Sequence, residues 1–152
     1  MGMPIAGLLW SLATLYAKSD LVASLDVPPM QAFLAISVGG LALTFSLWVG
    51  FAAVGWAMVR AFGGRIRVLV LTTLISSAAL PLWVGAPAAA LWLNGAGQNA
   101  LLWAVIALLS VALFLQTLAS LLAAELSWPL TRAMTCVGAV AIFLGCFAYL
   151  ST

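Results

Sequence analysis

Histidine is missing from this 152-residue chain, and charge is scarce: five basic and three acidic residues make up 5% of the sequence. Without histidine there is no usual haem ligand, no usual metal ligand and no usual proton shuttle. The three carboxylates, Asp20, Asp26 and Glu125, are too few and too scattered to build a metal cluster. They also make a poor acid–base pair, which needs titratable groups held together. The two cysteines, Cys136 and Cys146, share one apolar run. On a helix they would stand about 15 Å apart along the axis, too far for an internal disulfide. No C-x-x-C pair marks a redox centre. Serine and threonine are plentiful, but a nucleophile without histidine or a buried lysine has no base. These shortages argue against an enzyme and against a resident cofactor or metal. A net charge of +2 spread over loops gives no nucleic-acid site.

What the chain has in excess is apolar side chain, 66% of its residues. Soluble domains carry charge on about a quarter of their residues, so this composition cannot cover a core in water. The bilayer must be the solvent. Five apolar runs, 3–22, 30–60, 66–93, 100–124 and 133–150, predict an all-α polytopic membrane bundle of five transmembrane helices. They form a single integral membrane domain over residues 1–152. The first run is short, from Met3 to Ala17, against the roughly 20 residues of a full crossing. It gains length if Lys18 snorkels and the helix continues toward Val22. A cleaved signal peptide would need a positive start, which is lacking. Pro28 and Pro29 favour an extended entry and then a helix start. In the third span Pro81 lacks an N–H and predicts a kink, and Pro87 repeats the disturbance.

Orientation follows from Arg60-Ala61-Phe62-Gly63-Gly64-Arg65-Ile66-Arg67, where paired glycines allow a tight reversal. The basic turn formed by Arg60, Gly63, Gly64, Arg65 and Arg67 belongs on the cytoplasmic side by the positive-inside bias. The loop from Glu125 to Arg132 also carries an arginine. The segment Lys18 to Pro29, with Asp20 and Asp26, and the uncharged turn Asn94 to Asn99 then lie outside. This predicts a cytoplasmic N-terminus and a periplasmic C-terminus. Trp56, Trp92, Trp103 and Trp128 fall near the expected interfaces, as aromatic belts do.

Two residue patterns bear on function. Ala32, Ala35, Gly39, Ala42, Ser46, Gly50, Ala53 and Ala57 step by three or four along the second span, and Gly138, Ala141, Gly145 and Ala148 do so along the fifth. Small residues let membrane helices approach closely, so these faces predict a helix-packing seam. Thr72, Thr73, Ser76, Ser77 and Pro81 on the third span, with Gln116, Thr117 and Ser120 on the fourth, are candidates for a polar path through the membrane. The hydroxyls before Pro81 equally serve to satisfy carbonyls that the proline frees. No charged residue lies deep in a span, where ion pathways commonly carry one.

An apolar span running into Arg60-Ala61-Phe62-Gly63-Gly64-Arg65, followed by a span with a proline in its outer half, resembles bacterial members of the YIP family, the Ypt/Rab-interacting type of small multispanning membrane proteins. The likeness covers Pro28 to Pro81 and extends loosely to Glu125. It implies five spans, a cytoplasmic N-terminus, the bacterial inner membrane and no defined catalytic residues. The N-terminal region that eukaryotic relatives use in Rab-linked trafficking has no counterpart here, so Rab binding is not implied. The expectation is a non-catalytic scaffold, assembly factor or accessory subunit. It would act through contacts with membrane lipids and with other integral membrane proteins or a larger complex. The alternative is a small-solute transporter or channel component.

Overall fold

A computed structural model describes residues 2–24, 28–95 and 99–150, apart from the side chains of residues 29 and 147–150. Asp26, the segment 96–98 and the side chain of Ala148 lie outside the described residues. The described chain is all α-helical: α1 Gly2–Ala17, α2 Ser19–Ser24, α3 Pro29–Ala61, α4 Val68–Ala78, α5 Leu82–Leu93, α6 Ala100–Leu126 and α7 Leu130–Leu150. Two of these are long and apolar enough to cross a membrane, α3 over Met30–Ala61 and α6; α4 and α5 make a third if they count as one bent span. Large apolar side chains stand bare on them, Leu101 at 81% and Leu69 at 79% exposure. A soluble monomer does not leave such a surface open to water.

Length and end chemistry explain the long helices. The 33 residues of α3 extend about 50 Å, against roughly 30 Å of hydrocarbon. Pro28 is extended, with φ −52° and ψ 131°, and Pro29 opens the first turn, where its missing N–H costs nothing. At the far end Gly63 takes φ +76°, and the Gly64 N–H donates to the Val59 carbonyl at 2.8 Å. That is a Schellman ending, in which a left-handed residue lets the chain cover an orphaned carbonyl. The end of α6 repeats it: Ser127 is left-handed at φ 51° and the Trp128 N–H donates to Ala123 O at 2.9 Å.

Pro81 does break the third apolar run. α4 and α5 are separate helices bent 71° from one another. Pro87 produces no second break; α5 runs unbroken through it. Gly2 is set into the bend, its N–H donating to Ser76 Oγ at 3.2 Å while Trp83 Nε1 donates to the Gly2 carbonyl at 2.9 Å. The opening of α1 therefore bridges the two arms of the bend through a side chain of each, Ser76 on α4 and Trp83 on α5.

The position of α1 bears on the first apolar run and on what it packs against. The helix runs to Ala17 with Lys18 a turn residue, but helical bonding passes through that residue, from the Lys18 N–H to Thr14 O at 3.0 Å and from the Val22 N–H to Lys18 O at 2.9 Å, and α2 carries the helix on to Ser24. Gly2 also lies beside the α4–α5 bend and not beside the arginines. Met3 and Trp48 border the same cleft, and Arg60 is about 18 Å further along α3 from Trp48. So α1 packs against the half of α3 remote from Arg60, with α5 as its other main neighbour.

Close approach of α1 and α3 rests on a matched pair, Gly7 and Ser11 against Gly40 and Thr44. A Cβ at Gly7 would stand 2.7 Å from Thr44 Oγ1, and one at Gly40 would collide with Ser11 Oγ. Both hydroxyls donate back to the carbonyl four residues earlier, Ser11 to Gly7 at 2.9 Å and Thr44 to Gly40 at 2.8 Å. Each helix thus offers a Gly-x3-hydroxyl face whose polar atom is already satisfied, the packing unit suited to lipid. α5 meets α6 the same way, where a Cβ at Gly85 would strike Ser110 Cβ.

Toward the arginine end, α3, α4, α6 and α7 enclose the apolar core, with Val59, Ile75, Leu118, Leu122 and Cys136 almost fully buried. Phe51 and Phe114 cross it edge to face at 5.6 Å.

Among the described residues, the small-residue faces of the second and fifth apolar runs do not pack on one another. Gly39, Ala42, Ser46, Ala53 and Ala57 are exposed and Gly50 half-exposed. A Cβ at Gly39, Gly50, Gly138 or Gly145 would meet nothing within 4 Å. Ala141 is half-buried. α3 instead turns Thr44, Ala52, Gly55 and Val59 inward, and α7 turns in Ala133, Cys136, Val137 and Val140. Small residues surround α3 on more than one side, so the partner helices, not the spacing, decide which face packs.

Candidate functional site at the arginine end

The two loops that carry arginine meet at one end of the bundle. Ile66 is buried, and its carbonyl accepts a hydrogen bond from Trp56 Nε1 at 3.2 Å, which folds the turn back onto α3. Gly64 is buried beneath Trp128: a Cβ there would come within 2.6 Å of Trp128 Cζ2. Arg132, two residues into α7, donates to the Phe62 carbonyl and so ties α7 to the last turn of α3.

Two of the four arginines lie over indole rings. The Arg60 guanidinium stands 4.3 Å from the Trp56 ring centre and that of Arg132 4.5 Å from Trp128. Such stacking fixes a cation's direction without neutralising it. Arg65 and Arg67 are exposed and make no ion pair or side-chain hydrogen bond among the described residues. Glu125 is the one carboxylate in the α6–α7 region, and it makes no ion pair among the described residues.

Arg60, Gly63, Gly64, Arg65, Ile66 and Arg67 surround an open cavity of about 810 Å³. All five residues named in the expected basic turn line it. α4 starts at its edge. Arg67, extended at φ −75° and ψ 140°, precedes the first turn without supplying a side-chain cap. The N–H groups of Val68, Leu69 and Val70 have no acceptor among the described residues.

The polar-path residues divide into two groups that do not line one cavity. Thr72, Thr73, Ser76 and Ser77 border an opening of about 360 Å³ beside Trp48, at the bend. Pro81 is outside its lining, and Gln116, Thr117 and Ser120 lie exposed on α6. Most of these hydroxyls bond within their own helices: Thr72 to Leu69 O, Thr73 to Val70 O, Ser77 to Thr73 O, Thr117 to Leu113 O and Ser120 to Gln116 O. Trp48 Nε1 is buried next to this opening and has no hydrogen-bond partner among the described residues. No three potential metal-ligating side chains gather among the described residues.

Sequence reasoning named the basic turn but not the support beneath it, namely Trp56, Trp128 and Arg132 acting together. The matching spacing of Arg60 from Trp56 and Arg132 from Trp128, four residues in each case, is a signal that was available. The Gly7–Ser11 and Gly40–Thr44 pairs were legible only as two short motifs far apart in the chain.

No family model matches the chain, and no curated protein or solved structure matches it either.

Proposed function

We propose that this chain is a non-catalytic integral membrane protein acting through helix and lipid contacts, as a scaffold, assembly factor or accessory subunit of a membrane complex. In this reading α3, the bent α4–α5 pair, α6 and α7 each cross the bilayer. α1 is the fifth apolar helix, packed into the half remote from the arginines. The arginine end faces the cytoplasm of a bacterial inner membrane by the positive-inside bias, with Trp56 and Trp128 at the interface. Membership of the bacterial YIP type belongs to the same proposal.

One observation carries the contact role. The stripe Gly39, Ala42, Ser46, Gly50, Ala53 and Ala57 is exposed or half-exposed, and a Cβ at either of its glycines would meet nothing within 4 Å. Within the chain, Gly7, Gly40 and Gly85 are points where helices approach closely. A second surface of the same composition suits the same use by a helix from another protein. The test is to introduce leucine at Gly39 and Gly50 and compare the protein extracted in mild detergent with the wild type. Loss of a larger stoichiometric complex, with the melting temperature unchanged, supports the reading. A wild-type complex that survives both substitutions rejects the stripe as the contact.

A transport component is the second reading, favoured by the unpartnered Trp48 indole beside a hydroxyl-lined opening at the α4–α5 bend. Alanine at Thr73 and Ser77 in reconstituted vesicles would reduce solute flux under this reading and leave it unchanged under the first.

A further inference from the structure

The arginine end holds more positive charge than its own contacts use. Arg60 and Arg132 are committed, one stacked on Trp56 and the other stacked on Trp128 and bonded to the Phe62 carbonyl. Arg65 and Arg67 are not, and they stand with Arg60 around one open cavity of about 810 Å³. Like charges gathered without a carboxylate between them repel, and a folded chain keeps such an arrangement at a cost that a bound anion offsets.

Guanidinium groups give the site a chemical preference. Their planar fork pairs with two oxygens of a phosphate, and they shed water more readily than an ammonium. Behind them α4 begins with three unaccepted N–H groups, at Val68, Leu69 and Val70. The partial positive charge at that end adds to the arginines. Gly63 and Gly64 line the same cavity with no side chains of their own, and their N–H groups are held by the Arg60 and Val59 carbonyls, so the guanidinium groups and the start of α4 are what an anion meets. Exposed leucine and valine, Leu69 and Val68, begin immediately beyond. A ligand with a charged head and an apolar tail would have both parts satisfied.

We infer that Arg60, Arg65 and Arg67 form a binding site for a phosphate group at the opening of α4, of the kind borne by an anionic phospholipid headgroup or by a free phosphate. The inference rests on the arginine end lying at a bilayer surface. It does not depend on which side that surface faces, nor on any protein partner.

The experiment uses the full chain in nanodiscs, which expose both faces. Protein is reconstituted in phosphatidylcholine alone or with a minor fraction of phosphatidylglycerol, and retained lipid is identified by native mass spectrometry. A second arm titrates inorganic phosphate into detergent-solubilised protein and follows the phosphorus resonance. Preferential retention of phosphatidylglycerol assigns a lipid headgroup; broadening by inorganic phosphate without lipid preference assigns a soluble phosphate. Either way Arg65→Gln and Arg67→Gln should each weaken binding about fivefold, and the pair more, with melting temperature unchanged. Lys18→Gln, on the α1–α2 turn, should leave binding as it was. The site is overturned if neither anion is preferred. It is equally overturned if the double variant binds as well as the wild type, or if Lys18→Gln weakens binding as much as the arginine variants do. Loss of the larger membrane complex would bear on the contact role alone and leave this result standing.

Discussion

Gly64 lies under the indole of Trp128, so close that a Cβ at Gly64 would stand 2.6 Å from Trp128 Cζ2 and 2.8 Å from Val59 Cγ1. Each is the residue that follows a left-handed position, Gly64 after Gly63 and Trp128 after Ser127. The ends of α3 and α6 are thus joined cap to cap, and that joint sets the floor of the arginine cavity. Gly64→Ala should destabilise the protein by about 1–3 kcal/mol, the usual cost of overpacking. Combined with Trp128→Phe, which removes the overlapping ring edge, part of the loss should return. Thermal unfolding in detergent checks both, and a Gly64→Ala protein that melts like the wild type would dismiss the joint.

The two caps differ in one residue type. Gly63 adopts its left-handed conformation freely, whereas Ser127 adopts it against its own Cβ, at about 1 kcal/mol. Ser127→Gly should therefore stabilise by up to about 1 kcal/mol, and Gly63→Ala should destabilise by a similar amount. Opposite shifts in melting temperature are the expected result. Two shifts of the same sign would show that something other than backbone conformation controls these turns.

Much of the helix layout was readable in the sequence because it rests on local chemistry. Proline at 81 removes a donor, glycine at 63 permits a positive φ, and long apolar runs have one conformation that satisfies their backbone in lipid. The choice of packing face was not readable. In water a helix shows its buried side by polarity, but α3 is apolar nearly all round, so Gly39 and Gly40 look alike until the position of α1 is known. Nor did hydropathy reveal that Gly2 would sit in the bend, since that depends on contacts 70 or more residues away. At the arginine end the charged residues were legible one by one. What brought Arg132 to Phe62, and Trp128 to Gly64, was the antiparallel return of α6 and α7.

Gly39 and Gly40 offer a direct comparison, since they are adjacent in sequence and opposite in surroundings. A Cβ at Gly40 would collide with Ser11, while one at Gly39 meets nothing within 4 Å. Gly40→Val should separate α1 from α3 and cost about 1–3 kcal/mol. Gly39→Val should change the stability of the isolated protein by no more than about 0.5 kcal/mol. Unfolding curves of both variants in the same detergent decide the matter. Equal losses would mean that α3 packs its Gly39 face within the chain after all.

Orientation in the membrane is open to a test that uses the two native cysteines. Cys136 is buried in the core and Cys146 is exposed on α7, so Cys146 is the native thiol a maleimide reaches more easily once detergent replaces lipid. Replacing Cys146 with serine then leaves a silent background. Ser127 and Asn99 are exposed at opposite ends of α6, separated by about 40 Å of helix, and each can carry a single reporter cysteine. An impermeant maleimide applied to intact bacterial spheroplasts should label Asn99→Cys and leave Ser127→Cys untouched until the membrane is opened. The reverse pattern would put the arginines outside, against the charge bias from which the orientation is argued. Labelling of both from one side would remove α6 from the set of crossings. With it would go the assumption that α3 and the bent α4–α5 pair, which pack around it, lie across the bilayer.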